Sequence, residues 1–144
     1  MLEFINSPSN RLLDYVKDDP VRPEISVEFR VTNNRFILAI TDDNIPCSMV
    51  CVSLHDFIPS TVEELQSTSK CPTTAVFYTI WSYKPGSGAV LLREGLNDIR
   101  HRYNSVNTFV TLSPKTEMAR KFHTKNGAVV FRENCDTVNY QYLI

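Results

Sequence analysis

The stretch T-A-V-F-Y-T-I-W-S-Y-K-P-G-S-G-A, residues 74–89, decides how this chain folds. Its first ten residues are mostly β-branched and aromatic, the composition of a strand buried on both faces, so residues 74–83 are expected as a central strand. Lys84-Pro85-Gly86-Ser87-Gly88-Ala89 breaks the run. Beyond it, Ala89, Leu92, Leu96, Ile99 and Tyr103 keep the alternating three-and-four spacing of one buried helical stripe. The unit is strand, glycine-rich turn, helix. Unpaired N–H groups at such a helix start point at an anion, and glycines let a phosphate approach closely, so a pyrophosphate fits there. Two glycines also make an ordinary βα turn. No Lys-Ser/Thr follows at the spacing of a Walker loop, and the third glycine of a dinucleotide fingerprint is missing.

Working outward, F-V-T-L-S-P at residues 109–114 reads as a buried strand whose Ser113 hydroxyl sits at the mouth of a βα turn. Met118, Ala119 and Phe122 mark a short amphipathic helix that Asn126 and Gly127 end, with Gly127 suited to the left-handed position, and residues 128–131 resume as a strand. His123 then lies where a helix ends against a strand. Ser113 and His123 can face one cleft, and they are the candidate catalytic residues. Upstream, Ser9 or Asn10 is expected to cap a helix reaching Lys17, with residues 21–24 as a connector. Residues 26–31 alternate like a strand, Asn33-Asn34 reads as a tight turn, and residues 35–41 complete the hairpin. After a turn at 42–46, residues 47–54 form the next antiparallel strand. Residues 59–66 read as a helix with Ser60 and Glu63 as a capping box, and residues 67–73 as a polar loop.

At 144 residues the chain is expected to be one domain of α+β class. A net charge of −1 offers no whole-chain attraction for nucleic acid or an anionic membrane. No apolar run approaches the roughly 18 residues of a membrane span, and no signal peptide is evident, so a cytoplasmic protein is expected. Cys47, Cys51, Cys71 and Cys135 lack close-pair spacing, so they read as reduced, mostly packed thiols with no metal site, Cys47 and Cys51 on one face of a strand. His55 and His101 receive no role.

The order of elements resembles the GCN5-related acyltransferase (GNAT) fold, in which an antiparallel sheet leads into a strand, a pyrophosphate loop and the main helix. Residues 83–88 fit that superfamily's Gln/Arg-x-x-Gly-x-Gly/Ala loop except at its first position, and residues 118–128 look like its penultimate helix and following strand. The resemblance implies an acyl-coenzyme A site made by Ile80, Trp81, Tyr83, Lys84, Gly86, Ser87, Gly88 and Ala89. A tyrosine that protonates the departing thiolate is common in that superfamily four residues before the helix-ending glycine, and here His123 holds that place. A more specific resemblance, to the catalytic domain of malonyl-CoA decarboxylase, runs through residues 36–65, Thr74-Ala75-Val76-Phe77-Tyr78-Thr79-Ile80, Thr111-Leu112-Ser113-Pro114, and Phe122-His123 with Asn126-Gly127-Ala128-Val129. In that family the serine of Leu-Ser-Pro and the histidine of Phe-His-x-x-Asn-Gly-Ala carry catalysis, which implies Ser113 and His123. Between the two motifs this chain has no long helical insertion, its loop before the main helix is shorter, and it is expected to lack that family's N-terminal helical domain.

Loss of carbon dioxide from a malonyl thioester leaves an enolate. The site must hold the carboxylate out of the carbonyl plane, stabilise the oxyanion and deliver a proton to carbon. A serine and a histidine suit those tasks. The same cleft also suits acyl transfer from acetyl-CoA or another acyl-CoA to an amine or a carrier-protein thiol, with His123 as base, and a non-catalytic acyl-CoA-binding module.

Overall fold

A computed structural model describes residues 1–143. Strands β1 (Leu2–Ile5), β2 (Arg35–Asp42), β3 (Ile45–His55), β4 (Thr74–Ser82), β5 (Thr108–Thr111) and β8 (Thr137–Tyr142) lie side by side in that order, while β6 (Ser113–Pro114) and β7 (Ala128–Glu133) both pair with β8. Every pairing is antiparallel except β4 with β5. A parallel pair needs a crossover, and helix α1 (Ser87–Arg102) supplies it. Helix α2 (Glu117–Lys125) links β6 to β7. The fold is therefore the mixed, mostly antiparallel α+β sheet expected from the resemblance to the GNAT fold.

Apolar residues on the two faces build two cores. One face packs Phe36, Leu38, Val50, Val52 and Phe77 against Leu91, Leu92, Leu96 and Ile99 of α1. The other packs Ile37, Ala39, Met49, Cys51, Val76 and Tyr78 against Leu12, Leu13, Val16 and Leu65 of the short 3-10 turns. Gly88 brings α1 close to α2, since a Cβ there would meet the Phe122 ring at 3.1 Å. Gly88→Leu is expected to force these helices apart at about 1–3 kcal/mol, read as a lower denaturation midpoint.

Several local readings are corrected. Residues 26–31 are not a strand: Glu28–Val31 is a 3-10 turn, and the edge of β2 expected to pair with it is taken by β1. The reason is Arg30, whose fully buried guanidinium bonds the carbonyls of Arg22 and Ile25, so the chain curls around it. The first helix is a 3-10 helix, Arg11–Asp18, capped by the Asn10 side chain on Leu12 N–H at 2.8 Å. Only Glu63–Gln66 of the 59–66 segment is helical, and Glu64 rather than Glu63 reaches back, accepting from Ser60 N–H at 2.7 Å. The hairpin turn narrows to Asp43 and Asn44, both with positive φ, as a two-residue connection requires. Cys47 and Cys51 face opposite cores, because the β2–β3 register slips at Ile40/Thr41 and a bulge reverses the alternation. Cys71 and Cys135 are exposed rather than packed.

Candidate active site in the sheet fork

The parallel β4–β5 ladder lasts only from Thr74↔Thr108 to Phe77↔Thr111. Leu112 N–H donates to Phe77 O at 2.9 Å, and beyond that bond the strands part. The cause lies in β4: Cys51 opposes Thr79 while Val52 opposes Phe77, so Tyr78 is an extra, bulged residue that bends the strand away. β4 continues to Ser82, and Ser113-Pro114 turns to pair with β8. The opening is a cleft of about 340 Å³. Its walls are Phe77 to Ser82 of β4, Gly88 and Leu92 of α1, Ser113 and Pro114, Ala119, Phe122 and His123 of α2, and Pro20 and Val21.

Both candidate catalytic residues line this cleft, but they do not hydrogen-bond each other among the described residues. Ser113 Oγ donates to Thr111 Oγ1 at 2.8 Å, and Thr111 Oγ1 accepts Tyr140 N–H at 3.1 Å. The serine proton is thereby engaged and its lone pairs remain. His123 sits in the last turn of α2, which Asn126 ends by its amide on Phe122 O at 2.7 Å, followed by Gly127 at φ +98°. Its ring stacks on Tyr140 at 5.4 Å, and its Nδ1 lies 2.7 Å from Tyr142 Oη. Nε2 has no partner among the described residues.

A histidine at a helix C-terminus gains about 0.3–1 kcal/mol in its charged form. Here burial wins. His123 is 4% exposed, and desolvation pushes its pKa down to about 4. His55, buried beside Ser53 and Ser67, is pushed down to about 4 as well, by desolvation first and the Arg35 charge second. Both rings are neutral in the folded protein near pH 7, and both take a proton more readily when unfolded, where the ordinary value is about 6.5. Stability is therefore full above about pH 6.5 and falls as the pH drops towards 4. Urea midpoints measured at pH 7, 6, 5 and 4.5 are expected to decline, and His55→Gln to flatten part of that decline.

Of the residues expected to bind coenzyme A, Ile80, Trp81 and Gly88 line the cleft. Gly86, at φ +82°, caps α1 without a side-chain hydrogen bond, leaving first-turn N–H groups for an anion. Ser87 Oγ lies 2.7 Å from Lys84 O and 2.8 Å from Cys47 O, so it braces the turn. Lys84 stands beside the turn, 3.5 Å from Asp42, and Ala89 lies in the first turn of α1 without lining the cleft. Tyr83 turns away: its hydroxyl donates to Asp18 at 2.8 Å and accepts from Trp81 Nε1 at 3.1 Å. Sequence reasoning missed Tyr142, Tyr140 and Thr111, which hold the histidine and serine. The alternating T-V-N-Y-Q-Y of residues 137–142 was the available signal for that last strand.

The backbone agrees with solved structures over its whole length. Malonyl-CoA decarboxylase from Rhodopseudomonas palustris superposes with a TM-score of 0.78 at 18% identity, covering 100% of this chain and 60% of that one. Tetrahymena GCN5 superposes at 0.67 and 12% identity, covering 100% and 96%. The chain has the GNAT fold. Malonyl-CoA decarboxylase from Agrobacterium vitis gives a TM-score of 0.70 at 25% identity, over 85% of this chain and 35% of that one. This GNAT chain thus spans roughly a third to three fifths of those decarboxylases. No protein-family model matches it, and no curated protein matches it in sequence.

Proposed function

We propose that this GNAT domain binds an acyl-coenzyme A and decarboxylates malonyl-CoA to acetyl-CoA. The observation that carries the reading is His123: a neutral imidazole on the cleft wall, with one nitrogen held by Tyr142 and the other without a partner among the described residues. A phenol donates better than it accepts, and an imidazole nitrogen accepts well. Tyr142 O–H therefore donates to Nδ1, which leaves the ring proton on Nε2. His123 is then a fixed neutral donor. With its basicity this low it makes a poor base for deprotonating an amine, which favours decarboxylation over transfer.

Coenzyme A would place its diphosphate at Gly86, Ser87, Gly88 and Ala89 with Lys84 alongside. Its pantetheine would follow the β4 edge freed beyond Phe77, adding to the sheet as a strand does. With the thioester in the fork, the bond from the α-carbon to the carboxylate breaks and its electron pair passes into the thioester enolate. His123 Nε2–H stabilises the enolate oxygen, and a proton from solvent, held by Ser113, goes to carbon. Carbon dioxide leaves, and the balance is malonyl-CoA plus one proton to acetyl-CoA plus carbon dioxide. Run in D2O, the reaction is expected to give acetyl-CoA carrying one deuterium per turnover by mass. Absence of acetyl-CoA would contradict the reading.

Tyr142→Phe tests the tautomer. It leaves Nδ1 unpaired and frees the ring proton to move, so kcat is expected to fall roughly tenfold to a hundredfold, equivalent to about 1–3 kcal/mol, with KM little changed. The fold shared with acetyltransferases supports a second reading, acyl transfer to an amine or thiol. That reading requires coenzyme A release to depend on an added acceptor.

A further inference from the structure

The two edges of the sheet are finished differently. β1 closes one of them with four residues, none exposed: the Arg102 guanidinium lies over the Phe4 ring at 3.8 Å, and Glu3 accepts from Arg11 at 3.4 Å. β7 closes the other and pairs with β8 alone. Every residue of β7 after Ala128 is exposed, and Val129, Val130 and Phe131 leave 46%, 52% and 46% of their surface to solvent. The outward N–H and C=O groups of an edge strand have no ladder partner, and natural edges are blunted by charge, proline or a covering element. Here three consecutive large apolar residues stand on the edge instead. Val130 lies opposite Tyr140 and Arg132 opposite Asn139, so Phe131 is a bulged residue with nothing opposite it on β8.

The charges around β7 are polarised along it. α2 ends two residues before the strand and packs beside it, so Lys125, with Lys121 one turn back, stands at the strand's start. Glu133 ends the strand and Asp136 lies in the turn beyond it, and all four side chains are exposed. The neighbouring charges are already engaged: Arg120 pairs with Glu117, and Arg132 donates to Ile58 O and Asn134 Oδ1, each at 2.8 Å. A strand that is positive at its start and negative at its end complements a copy of itself lying antiparallel and repels a parallel one. We propose that β7 is a dimer edge, on which a second copy of this chain pairs β7 with β7 about a two-fold axis near Val130 and Phe131.

About that axis the Val129, Val130 and Phe131 side chains of the two copies cover one another, and at both ends Glu133 of one copy comes beside Lys125 of the other. The contact is isologous, so it consumes the free edge and closes. The opposite edge, with Phe4 under Arg102, offers no equivalent apolar strip from which a fibre could grow. Six residues of strand make a small contact beside the roughly 800 Å² per partner of a standard interface, so the dimer is of the weak class, with a dissociation constant on the order of 1–100 μM.

Sedimentation equilibrium of the full chain, from about 1 to about 200 μM, is the test. The mass is expected to rise with concentration from 16.5 kDa towards twice that value, and amide exchange within residues 128–133 to slow over the same range while exchange in β1 stays constant. Val130→Lys and Phe131→Asp, both at exposed positions, should each weaken association at least roughly tenfold with the circular dichroism spectrum unchanged. Lys125→Glu should weaken it several-fold, and adding Glu133→Lys, which restores opposite signs across the axis, should recover it. A chain that stays monomeric across the whole range would overturn the proposal. So would a dimer that Val130→Lys and Phe131→Asp leave intact, protection that maps away from β7, or a double charge reversal that fails to recover association.

Discussion

His123→Ala is expected to lower malonyl-CoA turnover by roughly 10²–10⁴-fold while coenzyme A affinity changes only a few-fold, because the ring lines the fork proposed to hold the acyl group and is not part of the turn proposed for the diphosphate. His123→Gln separates two roles the histidine could play. If His123 is a neutral donor, the glutamine amide N–H replaces it in part, and the rate recovers above that of the alanine variant. If it shuttles a proton, glutamine is as inactive as alanine. Steady-state kinetics with both variants, together with coenzyme A binding, reads the difference. Partial recovery is expected, and kcat should show no ionisation of His123 between about pH 5 and 8, since burial moves its titration down to about 4.

Asp19→Ala is the second large effect, and it falls on stability. Asp19 and Arg30 are a fully buried pair, both side chains 0% exposed, and Asp19 also ties Thr79 of β4 to the connector. Burial alone pushes the Asp19 carboxyl up, but the bonds from Arg30, Thr79 and two backbone N–H groups outweigh it and hold it below its ordinary range. Removing the carboxylate strands the Arg30 charge, which costs about 3–5 kcal/mol. For a chain of this size that corresponds to a melting temperature lower by roughly 10–20 °C. Thermal unfolding followed by circular dichroism checks it. A shift of only a few degrees would mean that Arg30 finds water or other partners. The carboxylate is the charged partner in the fold, so its contribution is present above about pH 4 and is lost as the pH falls below that.

The core of this site was legible because its parts are local. The 74–89 unit combines a strand-only composition, two glycines and a clean helical stripe, and each signal needs only near neighbours. Ser113 and His123 were found in the same way, from a strand end and a helix end. What the sequence concealed depends on contacts distant along the chain. Residues 26–31 alternate as a strand does, yet Arg30 reaches back to Asp19 and a 3-10 turn results. Cys47 sits on the wrong face for its position because a bulge, invisible to a two-residue period, reverses the pattern. Tyr142 lies 19 positions from the ring it orients, and Arg22 lies 90 positions from the Leu112 carbonyl it bonds. Nothing near either residue advertises its partner.

The central claim is that this fork breaks a carbon–carbon bond without an acceptor. Purified protein is incubated with malonyl-CoA alone, and carbon dioxide, acetyl-CoA and free coenzyme A are quantified together. Carbon dioxide and acetyl-CoA are expected in equal amounts, with no free coenzyme A, and both products are expected to be lost in His123→Ala. Coenzyme A released only after an amine or thiol is added, with no carbon dioxide, would contradict it and assign the fork to acyl transfer.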